Sequence, residues 1–374
     1  MRIALIHYSY LPTIGGVEFV MAEHARLFAD AGHEVTVLCG SGESPDPRIS
    51  VAHFPPRPRP SHELRAALRG TLKTQQVVFL HNVATMPFEP ELASVLWDLA
   101  AELANTRFVC WVHDLAETLS SGAMSGGSAV ADSRYVYVAV SAYRQRQLKA
   151  VFGVESRVIP NGIEPFTHLA LTEPVARMAT EERLFERDIL LLHPARLVRR
   201  KNIEFALETT AALKAQGHDV CYLLTAARDP HTPLADEYAD SLRGLLDSLD
   251  LRREALFVWD RFAVTKPDLM SLYSIADALF FPSQQEGFGI PILEAALHRL
   301  SIFCVDREPM NSLLPAHVQA FHANASPSEV AIFIADSLSR SAPTQARKTM
   351  LRDYAWSSIY RTHLAPFLAE LTHP

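Results

Sequence analysis

The chain has no Asp-x-Asp in its 374 residues, no Cys-x-x-Cys and no Cys/His pair at metal-ligand spacing. It therefore lacks the local carboxylate or thiolate pairs that gather on a divalent cation or a structural zinc. The four cysteines, Cys39, Cys110, Cys221 and Cys304, are widely spaced, each in or beside an apolar strand-like run. That is the pattern of buried free thiols in a reducing compartment, so a cytoplasmic location is expected. No run of about 20 apolar residues offers a membrane span. Met1–Ile6 is too short for a secretory apolar region and reads as a first strand. Internal repeats with periods of about 20–50 residues are missing too, as are collagen-like and prion-like tracts. An excess of positive charge is also lacking: the net charge of −7 argues against general binding to nucleic acid. What remains is 48% hydrophobic and 21% charged, a globular composition in a chain too long for one ordinary core.

Strand-like and helix-like runs alternate. In the first half, Arg2–Tyr8, Glu34–Cys39, Gln76–Leu80, Phe108–Val112, Tyr135–Val140 and Arg157–Pro160 read as buried strands, with a helix over Val17–Ala31. The small, flexible segment Gly122–Ala129 interrupts the pattern, and Pro160-Asn161-Gly162 is a turn. Ala170–Glu186 is polar, mixed and helix-prone, and holds the expected junction. A second series has strands at Ile189–His193, Val220–Thr225, Ala255–Trp259, Ala278–Phe281 and Ile302–Val305. Helices are expected at Ile203–Gln216 and Tyr238–Leu249, and an amphipathic one at Trp356–Leu371. This alternation predicts an α/β chain of two Rossmann-like, doubly wound domains. Their expected extents are 1–168, with 355–374 packing back on it, and 185–354. Ligands of such sheets bind beyond the carboxyl ends of the strands, so polar groups just after strands are the first candidates.

Five places meet that test. Gly15-Gly16 precedes the first helix, where a bare backbone can close over phosphate, although the pair is no full Gly-x-Gly-x-x-Gly and serves equally as a plain turn. His113-Asp114 follows the run Phe108–Val112, and His81-Asn82 follows Val77–Leu80. A buried polar pair at a strand end needs partners and is more often site than scaffold. Arg196, Arg199, Arg200 and Lys201 cluster after Ile189–Leu192, a cation set that suits a diphosphate, though alone it is a solvated basic turn. In FPSQQEGFGIPILEAALH, Glu286 and Glu294 stand eight apart around Gly287, Gly289 and Pro291. A helix start favours anions, and carboxylates beside it accept hydrogen bonds from sugar hydroxyls. A ligand that is both phosphate and polyol fits, a nucleotide-sugar above all. Standing alone, the same segment is a strand–turn–helix corner.

Taken together, GGVE, WVHD, VAVSAY, IPNGIE, ARLVRRKN and FPSQQEGFGIPILEA resemble the retaining glycosyltransferases of family 4, with the GT-B fold and its E-x7-E motif. The resemblance runs over most of the chain. It implies two domains facing across a cleft, with the terminal helix crossing back to the first. It implies further that Gly16 lies near the donor diphosphate, that Arg196 and Lys201 bind its phosphates, and that Glu286 contacts hydroxyls of the transferred hexose. The backbone of Gly287, Phe288 and Gly289 would lie near sugar and phosphates, Glu294 would hold the ribose, and His113 would lie beside the transferred sugar. Departures follow Glu294: EAALHRLSIFCVD puts Arg299 and Ser301 where Gly and Pro are usual, and REPMNSLL lacks a Gly-Gly turn and its nearby Glu. Ala195 replaces a usual Gly.

The expected reaction is transfer of mannose or glucose from GDP-mannose or UDP-glucose to an acceptor hydroxyl. It needs no cofactor and no metal, because Arg196, Lys201 and helix starts neutralise the departing diphosphate. The acceptor is expected to be small, soluble or anionic, bearing phosphate or carboxylate, and to meet Asp114, His81 and Asn82. Leu64, Leu68 and Leu72 alternate with Arg65, Arg69 and Lys73 at helical spacing, as in a helix that touches an anionic membrane. An ordinary surface helix with its leucines in the core is favoured over that. Asp229-Pro230-His231 is a subgroup mark or a turn. Rival readings are a GT-B epimerase or hydrolase and a catalytically silent nucleotide-sugar sensor; a pyridoxal-dependent phosphorylase lacks an evident cofactor lysine.

Overall fold

Strands that are apolar on both faces form sheets covered on both sides, and those runs pair into two all-parallel sheets in the computed structural model. The structure describes residues 1–86, 88–115, 135–225 and 235–372, and besides these a hairpin of Ala123–Met124 with Gly127–Ser128. The rest of Gly122–Ala129, and all of Asp229-Pro230-His231, lie outside the described residues.

The first sheet contains β1 (Arg2–Ile6), β2 (Glu34–Cys39), β3 (Ile49–His53), β4 (Val77–His81), β5 (Arg107–Val112), β6 (Tyr135–Ala139) and β7 (Arg157–Val158). Its order is β3-β2-β1-β4-β5-β6-β7. The second contains β8 (Ile189–His193), β9 (Val220–Leu224), β10 (Ala255–Phe257), β11 (Ala278–Phe281), β12 (Ser301–Val305) and β13 (Val318–Phe321), in the order β10-β9-β8-β11-β12-β13. Both orders are Rossmann-like. In each, the winding reverses between the first and fourth strands, which opens a ligand crevice between β1 and β4 and another between β8 and β11.

The chain divides into Met1–Ile163 with Tyr354–Pro374, and Glu164–Asp353. Helix Glu173–Glu181, within the stretch read as a junction, packs Val175, Met178 and Ala179 into the core of the second unit. The terminal helix begins at Trp356, passes through a wider π turn at Tyr360–Leu364 and ends at Thr372. Its apolar face (Trp356, Ile359, Leu364, Phe367, Leu368) joins the core of the first unit, with Ile3, Phe28 and Trp111. Gly162 belongs to this contact. A Cβ there would stand 2.6 Å from the Trp356 ring, so Gly162→Ala is expected to cost about 1–3 kcal/mol by overpacking, read as a lower urea midpoint.

Five strands end earlier than their apolar runs predict, β1 at Ile6 instead of Tyr8 and β6 at Ala139 instead of Val140 among them. β7 stops at Val158, two residues before Pro160, which has no N–H for a ladder. β9 stops at Leu224, and β10 stops at Phe257, where a 3-10 turn over Val258–Asp260 takes over. All four cysteines are buried free thiols, and burial pushes the Cys39 thiol up to about 11. In helix Ser61–Leu72, Leu64, Leu68 and Leu72 are fully buried, and Arg65 and Arg69 both pair with Glu102. Among the described residues no helix is long and apolar enough to cross a membrane.

Candidate active site

After β8 the chain runs through Pro194-Ala195-Arg196 into a 3-10 turn over Arg199–Lys201, and helix Ile203–Ala215 follows. The hinge is Asn202, left-handed at φ 54°, whose side-chain amide donates to the Pro282 carbonyl at 3.3 Å. Gln284 N–H donates to the Arg200 carbonyl at 2.8 Å. These bonds pin the loop after β8 to the loop after β11, the two that flank the crevice. Across them Lys201 Nζ forms an ion pair with Glu286, each side chain only 9% exposed. Arg200 stands behind the pair, donating to the Gln285 carbonyl at 2.7 Å and lying 3.4 Å from Glu286 Oε2. Burial lowers the Lys201 pKa; Glu286 opposes the shift, and Arg200 and Arg196 add to it. Two charges this enclosed do not offset their desolvation by attraction alone, and such placement is more frequent at functional sites than elsewhere.

The four cations read as one cluster separate. Arg199 lies 5.0 Å from the Tyr238 ring and 3.5 Å from Glu204, with its side chain 79% exposed. Arg200 supports Glu286, and Arg196 and Lys201 line a cavity of about 750 Å³ together with Thr225, Trp259, Thr265 and Glu294. That size suits a nucleotide-sized ligand. Gly289, at φ 102°, caps helix Ile290–Leu297 in a conformation that favours glycine, and Pro291 fills the first turn. Glu294 follows on this helix. Tyr273 O–H donates to its Oε2 at 2.9 Å, and burial and then Glu294 raise the tyrosine pKa. Gly287 has open space where a Cβ would stand, and Phe288 is half exposed.

The crevice of the first sheet is lined differently. His7 follows β1, His81 ends β4 and Asn82 follows it, and His113 and Asp114 follow β5. His7 Nδ1 must carry its proton, because it donates to the His81 carbonyl at 2.8 Å. His81 Nδ1 and His113 Nε2 are 3.1 Å apart. Asn82, left-handed at φ 58°, uses Oδ1 to accept from the backbone N–H groups of His113 at 2.8 Å and Asp114 at 3.1 Å. Its side-chain carbonyl thus shapes the loop that carries His113. Asp114 pairs with Arg144 at 2.7 Å, and Arg144 also donates to the His113 carbonyl at 3.1 Å. Burial pushes His113 down to about 3. Gly15 is extended and precedes helix Gly16–Asp30; a Cβ on Gly15 would strike the Glu18 carboxylate, whereas one on Gly16 would meet nothing. Glu18 accepts from Ser9 O–H at 2.6 Å and lies 3.8 Å from His7 Nε2.

Among the described residues no group of three His, Cys, Asp or Glu side chains is placed to hold a metal ion. His7, His193 and Tyr273 escape a reading by motif, and Glu18 enters the sequence reading only as the last residue of GGVE, with no role of its own. His7 and His193 sit at strand ends, so the rule that singled out His81 and His113 applies to them too. His193 is fully buried, its Nδ1 2.7 Å from Tyr222 Oη, and burial reinforced by Lys201 pushes it down to about 3.

Two Rossmann-like units, one with a cation–carboxylate crevice, give the architectural class, an α/β protein of doubly wound parallel sheets. The sequence makes the class specific: residues 14–165 match the model of Glycosyltransferase Family 4, and residues 176–347 match that of Glycosyl transferases group 1. The two take in most of the chain, which belongs to the family 4 glycosyltransferases of GT-B type. Mannosylglucosylglycerate synthase of Thermotoga maritima is 22% identical over 83% of this chain and 82% of its own. The enzyme of that name from Petrotoga mobilis is 26% identical over 42% of this chain and 41% of its own. Among solved structures, a glycosyltransferase from Rickettsia africae is 15% identical, covering 100% of this chain and 99% of its own at a TM-score of 0.40. HepE of Anabaena, solved with UDP and glucose, is 18% identical, covering 99% and 100% at 0.39.

Proposed function

We propose that the chain is a retaining hexosyltransferase that moves mannose or glucose from GDP-mannose or UDP-glucose to a hydroxyl of a small anionic acceptor. One observation carries the reading: Arg196, Lys201 and Glu294 converge from the segments after β8 and β11 on a single cavity, and Glu286 is tied to Lys201. The cations take the diphosphate, which leaves with its charge, and stabilising that charge is the main electrostatic task. They fill the role a divalent cation otherwise has, so the reading calls for no metal. Glu294 accepts from ribose hydroxyls; Tyr273 holds its Oε2. Glu286 accepts from hydroxyls of the hexose, beside the backbone of Gly287, Phe288 and Gly289.

Glu286 is a poor nucleophile while Lys201 and Arg200 hold it, which favours front-face substitution. The anomeric carbon–phosphate oxygen bond breaks, the acceptor oxygen bonds to that carbon on the same face, and the departing phosphate oxygen takes the acceptor proton. His113 positions substrate instead of serving as the base. The acceptor is placed in the crevice of the first sheet, near His113 and Asp114. A small acceptor fits better than a lipid, because Glu102 engages Arg65 and Arg69 of the one basic amphipathic helix singled out for a membrane. The name of the Thermotoga maritima relative, with its mannosyl and glycerate parts, agrees with a hexose moved to a small carboxylated acceptor.

Thermal unfolding with UDP, UDP-glucose, GDP and GDP-mannose tests the donor. A ligand at a hundred times its Kd stabilises by about 2.7 kcal/mol, and one base series is expected to raise the melting temperature by about 5–10 °C. Glu294→Ala should abolish most of that rise. A flat response to all four nucleotides would overturn the reading.

A further inference from the structure

His81 is fully buried, and its Nε2 has no hydrogen-bond partner. Its Nδ1 meets Nε2 of His113 at 3.1 Å, with the two rings stacked at 5.5 Å. Burial keeps both rings neutral, so one proton lies between them and one nitrogen accepts. The choice of donor is decided at the far side of His81. Were His113 the donor, His81 would carry its proton on Nε2, as a buried N–H with no acceptor. With His81 as donor, Nε2 is a bare lone pair, and an unsatisfied buried acceptor is the more tolerated of the two. His24 does not supply the missing acceptor. Its ring lies 5.5 Å from that of His81 and meets the indoles of Trp111 and Trp356 edge to face at centroid distances of 4.7 and 5.4 Å, and neither of its nitrogens has a hydrogen-bond partner.

We propose that His81 is a positioning residue: it donates from Nδ1 to His113 Nε2 and fixes His113 as the Nδ1–H tautomer. His113 then offers a hydrogen-bond donor to a substrate oxygen in the crevice of the first sheet and has no lone pair free to act as a base. Among the described residues no partner takes its Nδ1. Asn82 and Arg144 complete the arrangement by fixing the backbone on either side of the His113 ring, through its N–H and its carbonyl. The substrate-facing part of this inference rests on the proposed function; the tautomer does not.

The test is a long-range ¹H–¹⁵N correlation spectrum of the full-length protein labelled at histidine, which shows directly which ring nitrogen of His113 is bare. A bare Nε2 and protonated Nδ1 are expected in the parent protein. His81→Asn keeps an amide N–H near the Nδ1 position and should keep that tautomer. His81→Gln moves the amide away and should release it into a mixture. A protonated Nε2 on His113 in the parent overturns the proposal without any variant, and so does an unchanged tautomer in a folded His81→Gln protein. With UDP-glucose or GDP-mannose as donor, kcat/KM should fall in proportion to the fraction of His113 left as the Nδ1–H tautomer, about two- to tenfold in His81→Gln, with most of it regained in His81→Asn. If the tautomer is as stated while His81→Gln turns over normally, it is the placing of substrate beside His113 that fails.

Discussion

Lys201→Ala is expected to lower transfer by about 10²–10³-fold, the usual effect of removing one preorganised group from a developing negative charge. Its effect differs from that of a simple lost contact, because Lys201 has two tasks. Facing the cavity, it meets the diphosphate; facing inward, it neutralises Glu286, whose side chain is 9% exposed. The alanine variant leaves that carboxylate without its main partner, next to incoming phosphates. KM for the donor should therefore rise while kcat falls. Stability should drop by at most about 3 kcal/mol, the lower bound for breaking a buried pair, since Arg200 at 3.4 Å from Oε2 takes over part of the charge. Adding Glu286→Ala removes the stranded charge. The double variant should regain most of the stability and only the part of donor affinity lost to the stranded charge, but not kcat. Steady-state kinetics of nucleotide release and urea unfolding of the four proteins of this cycle measure all three. A Lys201→Ala enzyme within tenfold of the parent in kcat would remove Lys201 from the proposed chemistry.

The Lys201–Glu286 contact spans 85 positions, and no local spacing predicts it. It is legible only through topology. Both residues follow strands, and β8 and β11 are hydrogen-bonded neighbours flanking the reversal of winding. Central strands are readable because both faces are buried and the sequence shows unbroken apolar runs, as in Ile189–His193 and Val220–Leu224. The edge strands Ile49–His53 and Val318–Phe321 escape for the converse reason: most of their residues are partly buried or exposed. Helix Pro90–Glu102 escapes because Leu92, Ala93, Val95, Leu96, Trp97, Leu99 and Ala100 are all buried, which blurs a one-sided period. The basic cluster shows a further limit. Sequence placed Arg196, Arg199, Arg200 and Lys201 together; the 3-10 turn sends Arg199 toward Tyr238 and Lys201 toward the cavity, a division set by backbone geometry.

The stability of this protein should fall steeply as pH drops from 6.5 toward 5, before most carboxylates titrate. Burial holds His24, His113 and His193 at about 3 and His81 well below its ordinary value. In the unfolded chain each returns to about 6.5. Between those limits the unfolded state binds more protons than the native one, so stability rises with pH. The contribution is fully present above 6.5 and is lost progressively as pH falls toward the folded values. Each such histidine adds a slope of roughly 1 kcal/mol per pH unit in that window. Three of them, His24, His81 and His113, belong to the first unit and only His193 to the second. Acid should therefore weaken the first unit's transition more. Urea unfolding at pH 8, 7, 6 and 5 reads this as a midpoint that is level above 7 and falls below 6.5. His24→Phe separates the titration from other acid effects. Phenylalanine keeps the edge-to-face contacts with Trp111 and Trp356 and has no nitrogen to protonate. The variant should lose about one proton's worth of slope and outlast the parent at pH 5. A midpoint unchanged from pH 7 to 5 would mean that water reaches these rings in the native state and that the histidine cluster of the first sheet is wetter than its burial implies.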